Sequence, residues 1–262
     1  NAYIYHIGIF LMLKNWLNKK HQEYDTIVSC WYKLSTIIGL FNKKIAQKAI
    51  AWEHIDHGVG GVIYRDTLRK YYKSLKGIVC INTPSITYYE QFNKTFFIPN
   101  IIGEPFDNKS FIQPENKENI ISFVGRLEKD KNDNAKKRTI VKNLTNIVHF
   151  IGTKTTDEIS KLLDKSKIFV LTSLKEGLPT VLIEAMFSSN ILISYNCNHG
   201  PSDIINENNG FLIPMHDKNL FREKLESVLK SPEKLSDMIT TSYQESQKWK
   251  KGKILEKWTE IL

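Results

Sequence analysis

Residues 168–186 read I-F-V-L-T-S-L-K-E-G-L-P-T-V-L-I-E-A-M, and this stretch decides the fold. Its first five residues, Ile168–Thr172, form the short apolar, β-branched run of a buried strand. A turn carrying Glu176 and Gly177 follows, and Pro179 stands where a helix would open, at the first helical position that proline prefers. A helix start with free N–H groups suits an anion such as a diphosphate. Gly177 lets the backbone come close to it. Glu184 lies five residues past Pro179, about 7–8 Å along the axis, where its carboxylate could accept two hydrogen bonds from a ribose diol. Glu176, ahead of the helix, could meet sugar hydroxyls beyond the diphosphate. An ordinary helix start with acids near its first turn reads the same way.

Similar units repeat outward in both directions. Towards the amino end, Thr26–Trp31, Ala49–Glu53, Gly77–Asn82 and Thr95–Pro99 are short apolar runs separated by helical spacing. Asn100–Asn119 has two prolines and no periodicity, and reads as a linker. A second series begins at Ile120–Val124 and continues through Ile147–Ile151, Ile168–Thr172, Ile191–Ser194 and Phe211–Ile213. Leu220–Leu229, Leu235–Trp249 and Lys253–Leu262 read as helices. Alternating strands and helices predict an α/β chain with parallel sheets, whose ligands bind at the carboxyl ends of the strands.

Composition narrows the function. With 25% charged and 41% hydrophobic residues among 262, the chain is neither disordered nor low-complexity. No apolar run approaches the roughly 18–20 residues of a membrane-spanning helix. The longest, Ile7–Leu13, is followed rather than preceded by lysines, the wrong order for a signal peptide. Cys30, Cys80 and Cys197 are far apart and odd in number, which fits a reducing cytoplasm. The net charge of +9 favours polyanionic partners. Only five of the 37 basic residues are arginine, against the bidentate arginines of a sequence-specific duplex reader. His54 and His57 form H-x-x-H on a strand end without further ligands nearby, so no metal site is expected.

The segment E-G-L-P-T-V-L-I-E-A-M resembles the E-x7-E segment of the retaining GT-B glycosyltransferases of group 1 (family four). Its neighbours match in order. Gly125-Arg126-Leu127 with Lys131 resembles that family's G-R-L-x-x-x-K. His199-Gly200-Pro201-Ser202-Asp203-Ile204-Ile205, followed by Asn209-Gly210-Phe211-Leu212-Ile213-Pro214, resembles G-P-S-E-I-I … N-G-x-L-V-P. Trp52-Glu53-His54 resembles the strand end whose histidine faces the donor sugar. The resemblance implies two Rossmann-like domains facing across a cleft. The first, acceptor-side domain spans residues 1–100 and is incomplete at its amino end; 101–119 link it to a nucleotide-sugar domain at 120–246, and a helix at 247–262 returns to the first domain. It further implies transfer of a hexose, without metal or cofactor, from a UDP-sugar to a glycan or lipid-linked acceptor in surface polysaccharide synthesis. Arg126 and Lys131 would grip the diphosphate, and Gly125, Gly177, Leu178, Pro179 and Thr180 would line it. Glu184 would take the ribose, while Glu176 and His54 would hold the sugar.

Some features depart from the family. Two βα units usually precede the point matching Asn1, and a long helix with a strand usually lies between Lys131 and Asn146. Omission from the sequence is the reading favoured here, because losing a central strand would open the second sheet. Ser189, Ile191 and Asp203 replace a usual Gly, Pro and Glu. Two other classes stay open, an epimerase on the same fold and a basic nucleic-acid binder. Finally, Arg65, Arg69, Lys73 and Lys76 fall within about 80° of one helical face, which predicts a solvent-facing stripe able to dock on an anionic cytoplasmic membrane surface.

Overall fold

The computed structural model describes residues 2–41, 43–54, 58, 67–125 and 136–262. Within these, eight strands form two parallel four-stranded sheets. The first has the order β1 (Ile27–Ser29), β2 (Ala49–Glu53), β3 (Gly77–Cys80), β4 (Thr95–Phe97). The second runs β5 (Glu118–Ser122), β6 (Ser166–Leu171), β7 (Ile191–Tyr195), β8 (Gly210–Ile213). The helices are α1 (Ala2–Lys20), α2 (Tyr32–Phe41), α3 (Lys43–Ala46), α4 (Thr83–Tyr89) and α5 (Thr156–Lys165). Then come α6 (Thr180–Phe187), α7 (Pro201–Ile204), α8 (Lys218–Leu229), α9 (Pro232–Ser246) and α10 (Lys251–Thr259).

Burial explains why the apolar runs became central strands. Every residue of β3 is buried, as are Ala49, Ile50 and Ala51 of β2 and Ile191, Leu192 and Ile193 of β7. One core joins the two sheets, with Ile81, Ile102 and Phe106 clustered with Leu178, Leu182 and Trp249. The last helix, α10, lays Ile254 and Trp258, with Ile261 just beyond, on Ile50, Val79 and Ile98 of the first sheet. Among the described residues no helix is long and apolar enough to cross a membrane.

Two expectations fail. Residues 147–151 are not a strand: they follow a turn, with Ile147 75% and Ile151 51% exposed. A parallel strand needs a packed crossover helix to hold it against its neighbour. The described helical turn at 136–141 leaves Ile140 and Val141 exposed and packs nothing of that kind.

The basic stripe also fails. Residues Arg69–Ser74 wind as a 3-10 helix, at three residues per turn rather than 3.6. Positions 69, 72 and 75 therefore eclipse one another, and Arg69, Tyr72 and Leu75 are all buried. Lys70, Lys73 and Lys76 share the solvent side. Arg69, at 0% exposure, sits among the rings of Tyr32, Tyr88 and Tyr89, and cannot touch a membrane. Arg65 lies outside the described residues.

Candidate functional site

The carboxyl ends of β2 and β3 meet the loops that follow β6 and β7. His54 comes directly after β2, Glu176 to Pro179 lie between β6 and α6, and Gly200 precedes α7. Pro179 is one position earlier than expected. It is the extended residue before α6, with its carbonyl accepting from Leu182 N at 2.9 Å. No side chain caps α6, so its amino end keeps N–H groups for another acceptor.

Gly177 is held on several sides. A Cβ there would lie 3.0 Å from the carbonyl oxygen of His54 and 3.4 Å from Ile81 Cδ1. The Gly177 carbonyl accepts a hydrogen bond from Asn82 Nδ2 at 3.0 Å. Gly200 closes the opposite side at φ 90°, and a Cβ on it would come within 2.6 Å of both Gly177 O and Pro179 Cδ. Both glycines are thus dictated by backbone-to-backbone approach, and Gly200 by a left-handed conformation as well.

The two acids flank this turn. Glu176 and Glu184 are each half-buried, one before α6 and one on it. Burial raises the carboxyl pKa of Glu184. Burial also pushes up the pKa of the Cys197 thiol, and the charge of Glu176 adds to it, so this buried thiol backs the Glu176 loop. Leu178 is buried in the joint core and Thr180 is half-buried at the helix start.

His54 is half-buried, with its ring 4.3 Å from that of Trp52, which in turn meets Trp258 edge-on at 4.9 Å. Burial lowers the imidazole pKa and favours the neutral ring, an effect partly offset by a hydrogen bond with Asn100. Gly125 is exposed three residues past β5. Arg126, Lys131 and His57 lie outside the described residues.

Two participants escaped the sequence reading. Asn82 has the pattern of a strand end and reaches Gly177; Asp203 stands where the family has Glu, and its Oδ2 accepts from Thr83 N at 3.0 Å. The local signal at Asn82-Thr83-Pro84 is a helix cap, and nothing in it betrays a partner 95 residues away.

The chain is similar to known proteins in sequence and in fold. The chain is 26% identical over 229 residues to a Campylobacter jejuni protein named GalNAc-alpha-(1->4)-GalNAc-alpha-(1->3)-diNAcBac-PP-undecaprenol alpha-1,4-N-acetyl-D-galactosaminyltransferase, covering 76% of this chain and 63% of that one. It is 31% identical over 147 residues to the poly(ribitol-phosphate) alpha-N-acetylglucosaminyltransferase of Staphylococcus aureus, covering 55% of this chain and 29% of that one. The chain therefore spans less than two thirds of the length of either. Among solved structures, apo lipopolysaccharide outer core galactosyltransferase WaaB superposes with a TM-score of 0.79 at 15% identity, over 99% of this chain and 80% of its own. Anabaena Alr3699/HepE in complex with UDP and glucose gives 0.71 at 14% identity, over 95% and 80%. These likenesses carry the fold, two Rossmann-like sheets facing across a cleft in the GT-B manner. The family model for "Glycosyl transferases group 1" matches residues 112–245, just over half of the sequence, from just before the second sheet to the last turn of α9, and the chain belongs to that family.

Proposed function

We propose that this chain belongs to a retaining glycosyltransferase that moves a hexose from a UDP-sugar to a glycan or lipid-linked acceptor in surface polysaccharide synthesis. The observation that carries the reading is the Gly177 turn. An uncapped helix start, flanked by two carboxylates, is pressed against a histidine-bearing strand end of the other sheet. The names of the relatives, two N-acetylhexosaminyltransferases, and the UDP bound by a structural neighbour support it. Residues 1–100 are assigned to the acceptor side, 101–119 to the link, 120–246 to the nucleotide sugar and 247–262 to the returning helix. We assign the reaction to the cytoplasm, in keeping with three free cysteines.

In this reading the α6 start and the backbone at Gly125, Gly177, Leu178, Pro179 and Thr180 receive the diphosphate. Arg126 and Lys131 neutralise it as it leaves, which is the main electrostatic task of the step and takes the place of a metal ion. Glu184 accepts from the ribose diol, Glu176 from sugar hydroxyls, and neutral His54 hydrogen-bonds the sugar from the opposite domain. Turnover is expected to survive EDTA and to fall about a hundredfold in Arg126→Ala. Activity lost to EDTA and restored by Mn²⁺ would remove Arg126 and Lys131 from this role.

Calorimetry with UDP tests the site. Glu184→Ala is expected to weaken binding by about 1.5–3 kcal/mol, the worth of hydrogen bonds to a charged acceptor. The pH dependence has a defined sign. Burial raises the Glu184 pKa, and only the ionised form accepts from both hydroxyls of the diol through charge-assisted bonds, so affinity falls with acidification from above the ordinary carboxylate range. Because the nucleotide itself titrates, the quantity to follow is wild type minus Glu184→Gln. A difference that stays flat with pH places Glu184 outside the site.

A further inference from the structure

Two consecutive residues at the end of β3 hold two different loops of the other domain. Asn82 is 1% exposed and uses both ends of its amide. Its Oδ1 accepts from Ser85 N at 2.9 Å, capping α4, and its Nδ2 donates to the Gly177 carbonyl at 3.0 Å. The next residue donates through Thr83 N to Asp203 on α7. The first contact lands on the turn after β6, which bears Glu176, and the second on the short helix after β7, which Gly200 precedes.

The direction of the first contact matters. The Gly177–Leu178 peptide is trans, so its N–H points opposite to its C=O. With the carbonyl drawn towards Asn82, the Leu178 N–H is turned away from Asn82, two residues ahead of the uncapped start of α6. The peptide has no other easy orientation, because His54 O, Ile81 and Gly200 close in around Gly177. We propose that Asn82 is a positioning residue for the donor: it orients the Gly177–Leu178 peptide so that an N–H donor faces the nucleotide diphosphate, and thereby makes nucleotide binding depend on the first domain being in place. The proposal rests on the donor-site reading above.

Asn82→Asp separates the two uses of the side chain. Aspartate caps α4 as well as asparagine does. Its carboxylate cannot donate to Gly177, but its protonated form can. At about pH 8, well above the carboxylate range, the variant is expected to bind UDP about tenfold more weakly than wild type. Amide exchange across 173–181 of the unliganded protein should quicken. Towards about pH 5 the acid form returns a donor, and the deficit should shrink to about twofold relative to wild type at the same pH. Asn82→Ala, which loses both contacts, should remain weak at either pH and unfold earlier. UDP affinity equal to wild type at the higher pH overturns the proposal, as does a deficit of the same size at both. If Asn82→Asp does not fold, Asn82→Ser keeps a capping oxygen, is too short to reach Gly177, and should show the same tenfold loss at the higher pH. A wild-type protein that ignores UDP sinks the nucleotide reading itself. Exchange across 173–181 still decides the role of Asn82 in that case, and unchanged exchange in the aspartate variant refutes it.

Discussion

Replacing Lys117 by methionine is expected to cost about 3–5 kcal/mol of unfolding free energy. The side chain leaves the linker just before β5 and is 5% exposed. Its Nζ donates to the carbonyls of Leu163 at 3.2 Å, Asp164 at 3.1 Å, Ser166 at 2.9 Å and Ser188 at 2.6 Å. These oxygens lie at or just past the carboxyl ends of α5 and α6, where helices leave carbonyls unpaired and accumulate negative potential. Asn190 Nδ2 also donates to Leu163 O and Ser166 O, so those two keep a partner in the variant. Asp164 O and Ser188 O lose the ammonium, at about 1–3 kcal/mol for each buried orphan. Methionine has similar length, so no large cavity forms and the loss is mainly polar. Urea unfolding checks it through the midpoint at constant slope. A loss below about 1 kcal/mol would mean that water reaches these carbonyls.

Arg69→Met is expected to be comparably damaging, by about 3–5 kcal/mol, because it strands a buried carboxylate. Glu53 is 2% exposed and accepts from Tyr72 OH at 2.6 Å and Tyr89 OH at 2.8 Å, with Arg69 Nη2 at 4.0 Å. Burial raises the Glu53 pKa, and the two hydroxyls and Arg69 pull it back down. Without the guanidinium, folded Glu53 binds its proton more tightly than the unfolded chain does. The deficit should therefore grow as pH rises above the unfolded carboxylate range. Adding Glu53→Gln removes the stranded charge, and the double variant should recover most of the loss in thermal unfolding. No recovery would mean that Arg69 stabilises through the aromatic rings around it and not through Glu53.

The sheets were legible because each strand is a short apolar run between turns, and burial on both faces preserves that signal. The Gly177 turn was legible because its constraints are local, a strand end, a glycine and a proline within a dozen residues. Ile147–Ile151 misled because its own pattern is that of a strand, whereas pairing depends on a crossover helix elsewhere in the chain. The 69–76 segment misled for a different reason. Over eight residues, periods of 3.0 and 3.6 place the same lysines on nearly the same side, and they differ mainly at Arg69, which the shorter period turns inward. Asn82 was invisible because its partner lies in the other domain, beyond the reach of any local spacing.

The way the chain passes between its two sheets also determines how they can move. It crosses once through residues 98–117 and again at 247–251, and the two passages and the elements beside them are tied together. Lys251 N donates to Asp107 at 2.8 Å, Tyr243 OH to the carbonyl of Lys109 at 3.0 Å, and the Phe97 and Trp249 rings meet at 6.2 Å. One crossing would be a tether, free to twist and stretch in any direction. Two, bound together, make an axle. Such a pairing resists sliding and separation of the domains more than it resists rotation about itself, and α10 is seated on the first sheet. Away from that axle, the Asn82–Gly177 hydrogen bond fixes the second point at which the two halves of the cleft are aligned.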